Sequence, residues 1–284
     1  MEIIKTISEL QKTLDSARQA GKTVGFVPTM GFFHEGHLGL VRAARSENDV
    51  VVMSIFVNPT QFGPAEDYQT YPRDLARDTE LAEQAGADII LAPEVKEVYP
   101  DGLATYVEVT GPETQGLCAA SRPGHFRGVT TVVAKLLNIV RPERVYFGQK
   151  DAQQLAVIKR MVRDLNIPVE VIGCPTVREP DGLAMSSRNT YLKPEERKAA
   201  AVLYEALIAG ETTIKQGERS GARIIDAVEK VIKREPLAKL EYAEIRETAG
   251  FTKPGAVKGE ILIAVAARFG QTRLIDNVVV NSDE

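Results

Sequence analysis

The sequence contains only two cysteines, Cys118 and Cys174, which lie far apart and form no Cys-x-x-Cys motif. They are most simply interpreted as reduced intracellular thiols, although the sequence alone leaves a disulfide between them open. Long apolar runs are also missing, because the longest, at 50–57, is far too short to span a membrane. The first residues lack a signal-peptide pattern. We therefore expect a cytoplasmic protein without a membrane partner.

A strong net charge is missing as well. The chain has 35 lysines and arginines against 39 aspartates and glutamates, a formal net charge of −4. This balance argues against a nucleic-acid partner bound through bulk charge. No cluster of cysteine, histidine and carboxylate residues has metal-ligand spacing, so no metal held by the protein is predicted. The composition, 44% hydrophobic and 26% charged, is typical of a globular protein.

The sequence does contain an alternation of apolar strand patterns with amphipathic helix patterns. A first helix begins at a capping box formed by Thr6 and Glu9 and ends at Gly21. Strand patterns then lie at 23–28, 49–57, 88–92, 144–148 and 168–173, and helix patterns at 38–47, 73–85, 126–140 and 150–164. The alternation predicts an α/β domain with a Rossmann-like, doubly wound parallel sheet.

Two parts of the chain depart from this alternation. Residues 93–125 are rich in proline and glycine and are interpreted as an insertion near the sheet, with a candidate strand at 105–110. After residue 176 the order becomes helices followed by strands, which is typical of an α+β domain. Its predicted elements are a long helix from Pro194, a helix at 220–234 and strands at 239–245, 260–269 and 272–280. We expect two domains, 1–176 and a smaller 177–284, joined by 178–196.

Two of only three histidines, His34 and His37, lie on one short turn between the first strand pattern and a helix. The glycine spacing Gly31-x4-Gly36 resembles a phosphate loop, but His37 and Leu38 stand where that loop needs lysine and serine or threonine. What remains is a helix N-terminus, whose free N–H groups favour an anion. Two interpretations stay open: the imidazoles donate hydrogen bonds to phosphate, or they only cap the turn.

Other polar residues follow the second and fourth strand patterns, at the sheet edge where open α/β sheets bind ligands. Asn58 and Gln61 could hydrogen-bond a hydroxyl or carboxylate, as could Gln154, or all three could serve loops and caps. Lys150 opens a helix, where a cation is disfavoured unless it accompanies a bound anion, although a solvated lysine is common there.

The segment 184–189, "AMSSRN", joins two serine hydroxyls with Arg188 and suits phosphate binding, although such residues are ordinary in linkers. The third histidine, His125, has no evident partner in the sequence and is interpreted as structural or exposed.

Taken together, these motifs resemble one family. "PTMGxxHEGH", "FVNPTQFGPxEDYxxYPR", "FGQKDxQQ" and "DGLAMSSRN" stand in the order and spacing of the pantothenate synthetases (pantoate–β-alanine ligases), and the similarity covers essentially the whole chain. The His-x-Gly-His turn also resembles the wider superfamily of nucleotidyltransferases and class I aminoacyl-tRNA synthetases. The pair Phe32-Phe33 departs from the family, which often has small or aliphatic residues there.

The resemblance implies a ligase that works in two steps. The carboxylate of pantoate would attack the α-phosphate of ATP to give pantoyl adenylate and pyrophosphate, and the amine of β-alanine would then displace AMP. Mg²⁺ would arrive with ATP and be held chiefly by its phosphates. The family also implies a homodimer and a smaller C-terminal domain that closes over the active site. Residues 63–71, which lack helical or strand periodicity, are expected to cover the intermediate.

The resemblance also implies a role for each matching position. The catalytic residues would be His37, His34 and Lys150, and pantoate would be held by Gln61 and Gln154, with Asn58 nearby. The ATP-binding set would be Met30, Gly31, Phe32, Phe33, His34, Glu35, Gly36, His37, Gly148, Gln149, Lys150, Asp151, Val177, Met185, Ser186, Ser187 and Arg188.

Two alternatives compete with this reading. One is a nucleotidyltransferase that leaves the nucleotide attached to its product instead of releasing AMP. The other is a regulatory protein that binds a nucleotide without catalysis.

Overall fold

Six parallel strands form the sheet of the first structural unit. A computed structural model describes residues 1–64 and 66–283. The strand order is β1-β4-β3-β2-β5-β6, and every pairing is parallel. The strands are β1 (Glu2–Ile4), β2 (Val24–Thr29), β3 (Val50–Ile55), β4 (Ile89–Leu91), β5 (Arg144–Gly148) and β6 (Glu170–Cys174). The order reverses between β2 and β5, the place where a doubly wound sheet opens a crevice for ligands.

Helices cover both faces of this sheet. They are α1 (Ile7–Gln19), α2 (Glu35–Glu47), α3 (Leu75–Ala85), α4 (Val95–Val98), α6 (His125–Val140) and α7 (Ala152–Asp164), whereas the short α5 (Leu117–Ser121) belongs to the second unit. Short 3-10 helices lie at Pro59–Gln61, Pro112–Thr114 and Gln149–Asp151. Among the described residues, no helix combines the length and apolar character that crossing a membrane requires.

Alternate residues of the central strands enter two separate cores. Val50 and Val52 of β3 pack in the core that includes α1, α6 and α7, whereas Val51 and Met53 pack with α2 and α3. Successive side chains of a strand point to opposite faces, so a strand buried on both sides needs an unbroken apolar run. The predicted doubly wound sheet is confirmed.

Two local predictions were wrong, and one strand was missed. The predicted strand at 105–110 is not a strand; instead the backbone N–H of Val107 donates to Thr131 Oγ1 at 3.0 Å and its carbonyl accepts from Thr130 Oγ1 at 2.5 Å. Strand β1 was not anticipated, because three residues are too few to show a periodicity. The long helix predicted from Pro194 is two helices, α8 (Pro194–Ala199) and α9 (Val202–Lys215).

The second unit is built on an antiparallel sheet in the order β7-β8-β9. Its strands are β7 (Ala238–Glu247), β8 (Glu260–Phe269) and β9 (Thr272–Asn281), in agreement with the predicted strands. Helices α9 and α10 (Gly221–Ile232) pack on the sheet through a core that includes Leu207, Val228 and Ile263.

The contacts of the chain define which segments belong to each unit. The first unit comprises Met1–Thr110, Arg122–Gln149 and Gln154–Pro175, and the second comprises Gly111–Ser121, Lys150–Gln153 and Thr176–Glu284, of which Glu284 lies outside the described residues. Two short segments that precede residue 176 thus have their contacts in the second unit. One of them contains Lys150.

Candidate functional site

The turn after β2 carries two successive residues in the left-handed region. Gly31 has φ 86° and Phe32 has φ 54°. This conformation is unfavourable for a phenylalanine, so the surrounding structure must hold it. The turn leads into α2 at Glu35, earlier than the predicted start at residue 38. His34 is therefore the N-cap of α2, and His37 lies in its first turn.

Each of the two histidines accepts a backbone hydrogen bond at Nδ1. The N–H of Gly36 donates to Nδ1 of His34 at 3.1 Å, and the N–H of His34 donates to Nδ1 of His37 at 3.3 Å. The ring centroids are 4.1 Å apart. A neutral imidazole that accepts at Nδ1 carries its proton on Nε2, the atom with which it can donate to an anionic oxygen. Capping and anion binding are thus compatible, since they use different nitrogens.

Asp78 of α3 supports the turn, although no motif in the sequence identified it as a site residue. Its carboxylate accepts from the N–H of Phe32 at 2.6 Å and from that of Phe33 at 2.7 Å. Only 1% of Asp78 is exposed. Burial raises the pKa of Asp78, opposed by the two N–H groups and by Arg77. Two charge-assisted hydrogen bonds hold the unfavourable backbone at Phe32 in place.

A signal for Asp78 was present in the sequence. The buried residues of α3 are Asp78, Ala82 and Ala85, which lie at helical spacing on one face. An acidic residue on the apolar face of an amphipathic helix needs buried donors, and here backbone N–H groups of the turn supply them.

The two phenylalanines of the turn have different environments. Phe33 is buried in the core beside α2, and Phe32 is half-buried. Arg77 donates to the carbonyl of Phe33 at 2.9 Å, and its guanidinium lies 5.2 Å from the ring centroid of Phe32. A cation over an aromatic face is favourable. Both phenylalanines of the turn are thus contacted by Arg77 of α3.

Asn58 supports Gln61 at the end of β3. Asn58 is only 1% exposed. Its Nδ2 donates to Oε1 of Gln61 at 3.1 Å and to the carbonyl of Gly128 at 3.2 Å. Its Oδ1 accepts from Tyr99 at 2.9 Å. The amide of Gln61 in turn contacts Sδ of Met30 at 3.2 Å. The structure therefore brings Met30, Asn58 and Gln61 together, and Asn58 acts as a support for Gln61.

His125 also supports Gln61. It is buried, and its Nδ1 lies 2.8 Å from the carbonyl of Gln61. A carbonyl can only accept, so Nδ1 of His125 carries the proton and Nε2 accepts from Arg122, 3.0 Å away. His125 thus has the opposite tautomer to His34 and His37. The structural interpretation of His125 holds, but the residue is buried and not exposed.

Part of the segment expected to cover an intermediate, 63–71, is tied to the first unit by an ion pair. Its Ala65 lies outside the described residues. Nε and Nη2 of Arg122 each donate to Glu66 at 2.6 Å. Burial raises the pKa of Glu66, but the hydrogen bonds and charge of Arg122 outweigh it and lower the pKa to about 2. The carboxylate is therefore ionised at neutral pH.

The remaining site residues lie at the end of β5 and in the second unit. Gly148, Gln149 and Gln154 belong to the first unit, and Gln154 is half-buried. In the second unit, the N–H of Met185 donates to the carbonyl of Val177 at 3.0 Å, so these two predicted ATP residues are neighbours. Lys150 and Asp151 belong to the second unit, with Ser186, Ser187 and Arg188.

Neither cysteine is in a disulfide, and both are buried. Within 1–64 and 66–283, no group of three or more histidine, cysteine, aspartate or glutamate side chains could hold a metal ion.

Comparison with known proteins gives consistent results. The family model of pantoate–β-alanine ligase matches residues 2–279. The pantothenate synthetase of Moorella thermoacetica is 57% identical over 284 residues and that of Acetivibrio thermocellus 56% over 280, with 99–100% of each chain covered.

Solved structures agree with the sequence matches. The crystal structure of pantothenate synthetase from Thermus thermophilus has a TM-score of 0.93 and 51% identity, with 98% of this chain and 99% of that one covered. The Francisella tularensis pantoate–β-alanine ligase, complexed with β,γ ATP and β-alanine, has a TM-score of 0.82 and 36% identity, with 100% and 98% covered.

Replacement of Asp78 by asparagine should destabilise the turn. An amide presents only one acceptor oxygen, and its NH₂ group would face a backbone N–H, so one charge-assisted hydrogen bond is lost. We expect the free energy of unfolding to fall by about 1.5–3 kcal/mol. The ring resonances of His34 and His37 should shift in NMR spectra, whereas those of His125 should not. Glu80→Gln removes the same charge from an exposed position of α3 and serves as the control. Equal behaviour of the two variants would contradict the role of Asp78.

Replacement of Gly128 by alanine should push α6 away from Gln61. A Cβ at Gly128 would lie 2.6 Å from the carbonyl carbon of Thr60 and 2.7 Å from Cα of Gln61, both backbone atoms. Overpacking of this kind costs about 1–3 kcal/mol, and thermal unfolding should measure it. Gly255→Ala, where nothing lies within 4 Å, should leave the unfolding temperature nearly unchanged. An unchanged unfolding temperature in Gly128→Ala would show that the two backbone segments move apart without a measurable loss of stability.

Proposed function

This chain belongs to the pantoate–β-alanine ligase family, and from that membership and the geometry of its turn we propose which residues carry out each step of the reaction. The enzyme condenses pantoate with β-alanine in an ATP-dependent reaction to give pantothenate, a precursor of coenzyme A. Pantoyl adenylate is the intermediate, and AMP and pyrophosphate are released. Because AMP is released, the product carries no nucleotide, unlike that of the rival nucleotidyltransferases.

No protein nucleophile is needed in this chemistry. The carboxylate oxygen of pantoate forms a bond to the α-phosphorus as the bond to pyrophosphate breaks. The amine of β-alanine then attacks the acyl carbon, loses a proton, and AMP leaves. In nucleotidyl transfer the protein mainly positions the reactants and stabilises the charge that develops on phosphate oxygens. Hydrogen-bond donors and cations are therefore the groups to assign.

We propose that His37 and His34 supply such donors. The observation that carries the assignment is the pair of backbone hydrogen bonds to their Nδ1 atoms, since these put the ring proton of each on Nε2. Both rings stand at the N-terminus of α2, where the positive end of the helix dipole favours an anion. Lys150 is the third catalytic residue and neutralises phosphate charge.

The remaining roles follow the family motifs. Gln61 and Gln154 hold pantoate, and Asn58 keeps Gln61 in place. ATP is bound by Met30–His37, Gly148–Asp151, Val177 and Met185–Arg188. The division into a nucleotide- and pantoate-binding domain, 1–176, and a smaller domain, 177–284, is part of the same proposal; by their contacts, Gly111–Ser121 and Lys150–Gln153 group with the second of these.

Mg²⁺ enters with ATP as part of the substrate. Its ligands are chiefly phosphate oxygens and water, as is usual for this ion. Within the proposed ATP set the exposed carboxylate of Asp151 is a hard oxygen donor of the kind that Mg²⁺ takes. We further propose that the enzyme works in the cytoplasm as a homodimer, as the family resemblance implies.

The first test concerns the intermediate. If pantoyl adenylate forms on the enzyme, labelled pyrophosphate should exchange into ATP when pantoate is present and β-alanine is absent. Addition of β-alanine should then give pantothenate and AMP in equal amounts. Exchange that strictly required β-alanine would show a concerted reaction. ATP binding without any pyrophosphate release would show a regulatory nucleotide-binding protein.

Two variants of His37 separate its two nitrogens. Asparagine can place an oxygen where Nδ1 stands and keep the bond from His34 N–H, but it has no donor at the position of Nε2. His37→Asn should leave the unfolding temperature unchanged. The activation barrier for pyrophosphate exchange should rise by about 3–4 kcal/mol. His37→Gln can present a donor near Nε2 and should keep more activity at lower stability. The reverse order of activities would make His37 a structural cap only.

A further inference from the structure

The carbonyl of Lys150 is bound by a side chain that stands 127 residues further along the chain. Nδ2 of Asn277, on β9, donates to this carbonyl at 2.8 Å. Asn277 is only 6% exposed. A buried amide hydrogen bond is directional, so it fixes the peptide plane that follows Lys150. Both residues belong to the second unit.

The backbone of Asn277 is itself held on both sides. Its N–H donates to Oδ1 of Asp276 at 2.7 Å, and its carbonyl accepts from Nη2 of Arg178 at 3.1 Å. Arg178 and Asp276 form a two-pronged ion pair at 2.6 and 3.0 Å, with Asp276 2% exposed. Such fork-shaped pairs are geometrically specific. Asn277 is thus a rigid point of attachment.

Arg178 of this ion pair also contacts the loop from Val177 to Met185, which carries other predicted ATP-binding residues of the second unit. Arg178 follows Val177 directly, and its Nη1 donates to the carbonyl of Gly182 at 3.0 Å. Its guanidinium lies 4.0 Å from the ring centroid of Tyr204, which favours the cation. The loop that leads from Val177 to Met185 is therefore fixed to the pair that fixes Asn277.

The other end of the segment Lys150–Gln153 is also fixed by side-chain hydrogen bonds. Gln153 is buried; its Oε1 accepts from the N–H of Cys118 at 2.9 Å, and its Nε2 donates to the carbonyl of Glu113 at 3.1 Å. The neighbouring Gln154 belongs to the first unit. The four residues Lys150–Gln153 are thus attached at both ends to the second unit.

We propose that Asn277 is a positioning residue for Lys150, and that the Arg178–Asp276 pair holds Lys150 and the Val177–Met185 loop in register through one strand, β9. The inference rests on the role proposed above for Lys150. It means that the position of a catalytic cation is set by the C-terminal sheet, although the cation follows a strand of the parallel sheet in sequence.

Hydrogen–deuterium exchange of the full chain tests the positioning without using activity. In Asn277→Ala the peptide that covers 149–155 should exchange several-fold faster than in the unsubstituted protein, since its anchoring bond is gone. Asn281→Ala, an exposed asparagine on the same strand, is the matched control and should leave that peptide unchanged. Unchanged exchange in Asn277→Ala would overturn the proposal.

A double-mutant cycle tests whether Asn277 acts through Lys150. Asn277→Ala should slow pantoate-dependent pyrophosphate exchange about 10- to 100-fold, the scale of a misplaced group, with little change in the KM for pantoate. In a Lys150→Ala background the same substitution should have no further effect. A full additional loss there would overturn the proposal. If Lys150→Ala itself were as active as the unsubstituted enzyme, the role proposed for Lys150 would fail, while deuterium exchange would still decide whether Asn277 fixes the segment.

Discussion

The buried carboxylate of Asp78 is the constraint on which the histidine turn depends. Its two hydrogen bonds to the N–H groups of Phe32 and Phe33 hold a left-handed phenylalanine that would otherwise be unfavourable. With that backbone fixed, His34 falls at the N-cap of α2 and His37 one turn later. The geometry of both rings thus depends on a carboxylate that lies on another helix, α3.

The three histidines show how partners select a tautomer. Backbone donors meet Nδ1 of His34 and His37, so the proton of each is on Nε2, whereas a backbone carbonyl meets Nδ1 of His125 and holds the proton there. The first two rings can serve as donors toward an anion. The third uses both nitrogens within the protein, toward Gln61 and Arg122. The same residue type thus has different tautomers in the two places because of its neighbours.

Sequence patterns predicted most secondary-structure elements but missed the contacts between residues that lie far apart in the sequence. The doubly wound sheet followed from apolar runs such as 50–57, and the histidine turn followed from its place between a strand pattern and a helix pattern. The alternation of Val107 and Val109 resembled a strand, but threonine hydroxyls of α6 take the backbone bonds of Val107. Asp78 reaches the turn across 46 residues and Asn277 reaches Lys150 across 127. The helical spacing of Asp78 indicates that it is buried, but no periodicity identifies a partner over such separations, so only the fold shows what these residues support.

The segments of the two units alternate along the chain, three for each, so the backbone passes from one unit to the other five times. During synthesis, Gly111–Ser121 leaves the ribosome long before β7 and β9, which carry Tyr242 and Arg273, the partners of the Cys118 sulfur. Those eleven residues must therefore wait, without their final contacts, until the C-terminal sheet has been made. A fragment cut at residue 176 would keep the parallel sheet but would leave Cys118 and Gln153 without the sheet against which their unit is built. The order of translation and the order of assembly are thus different in this enzyme.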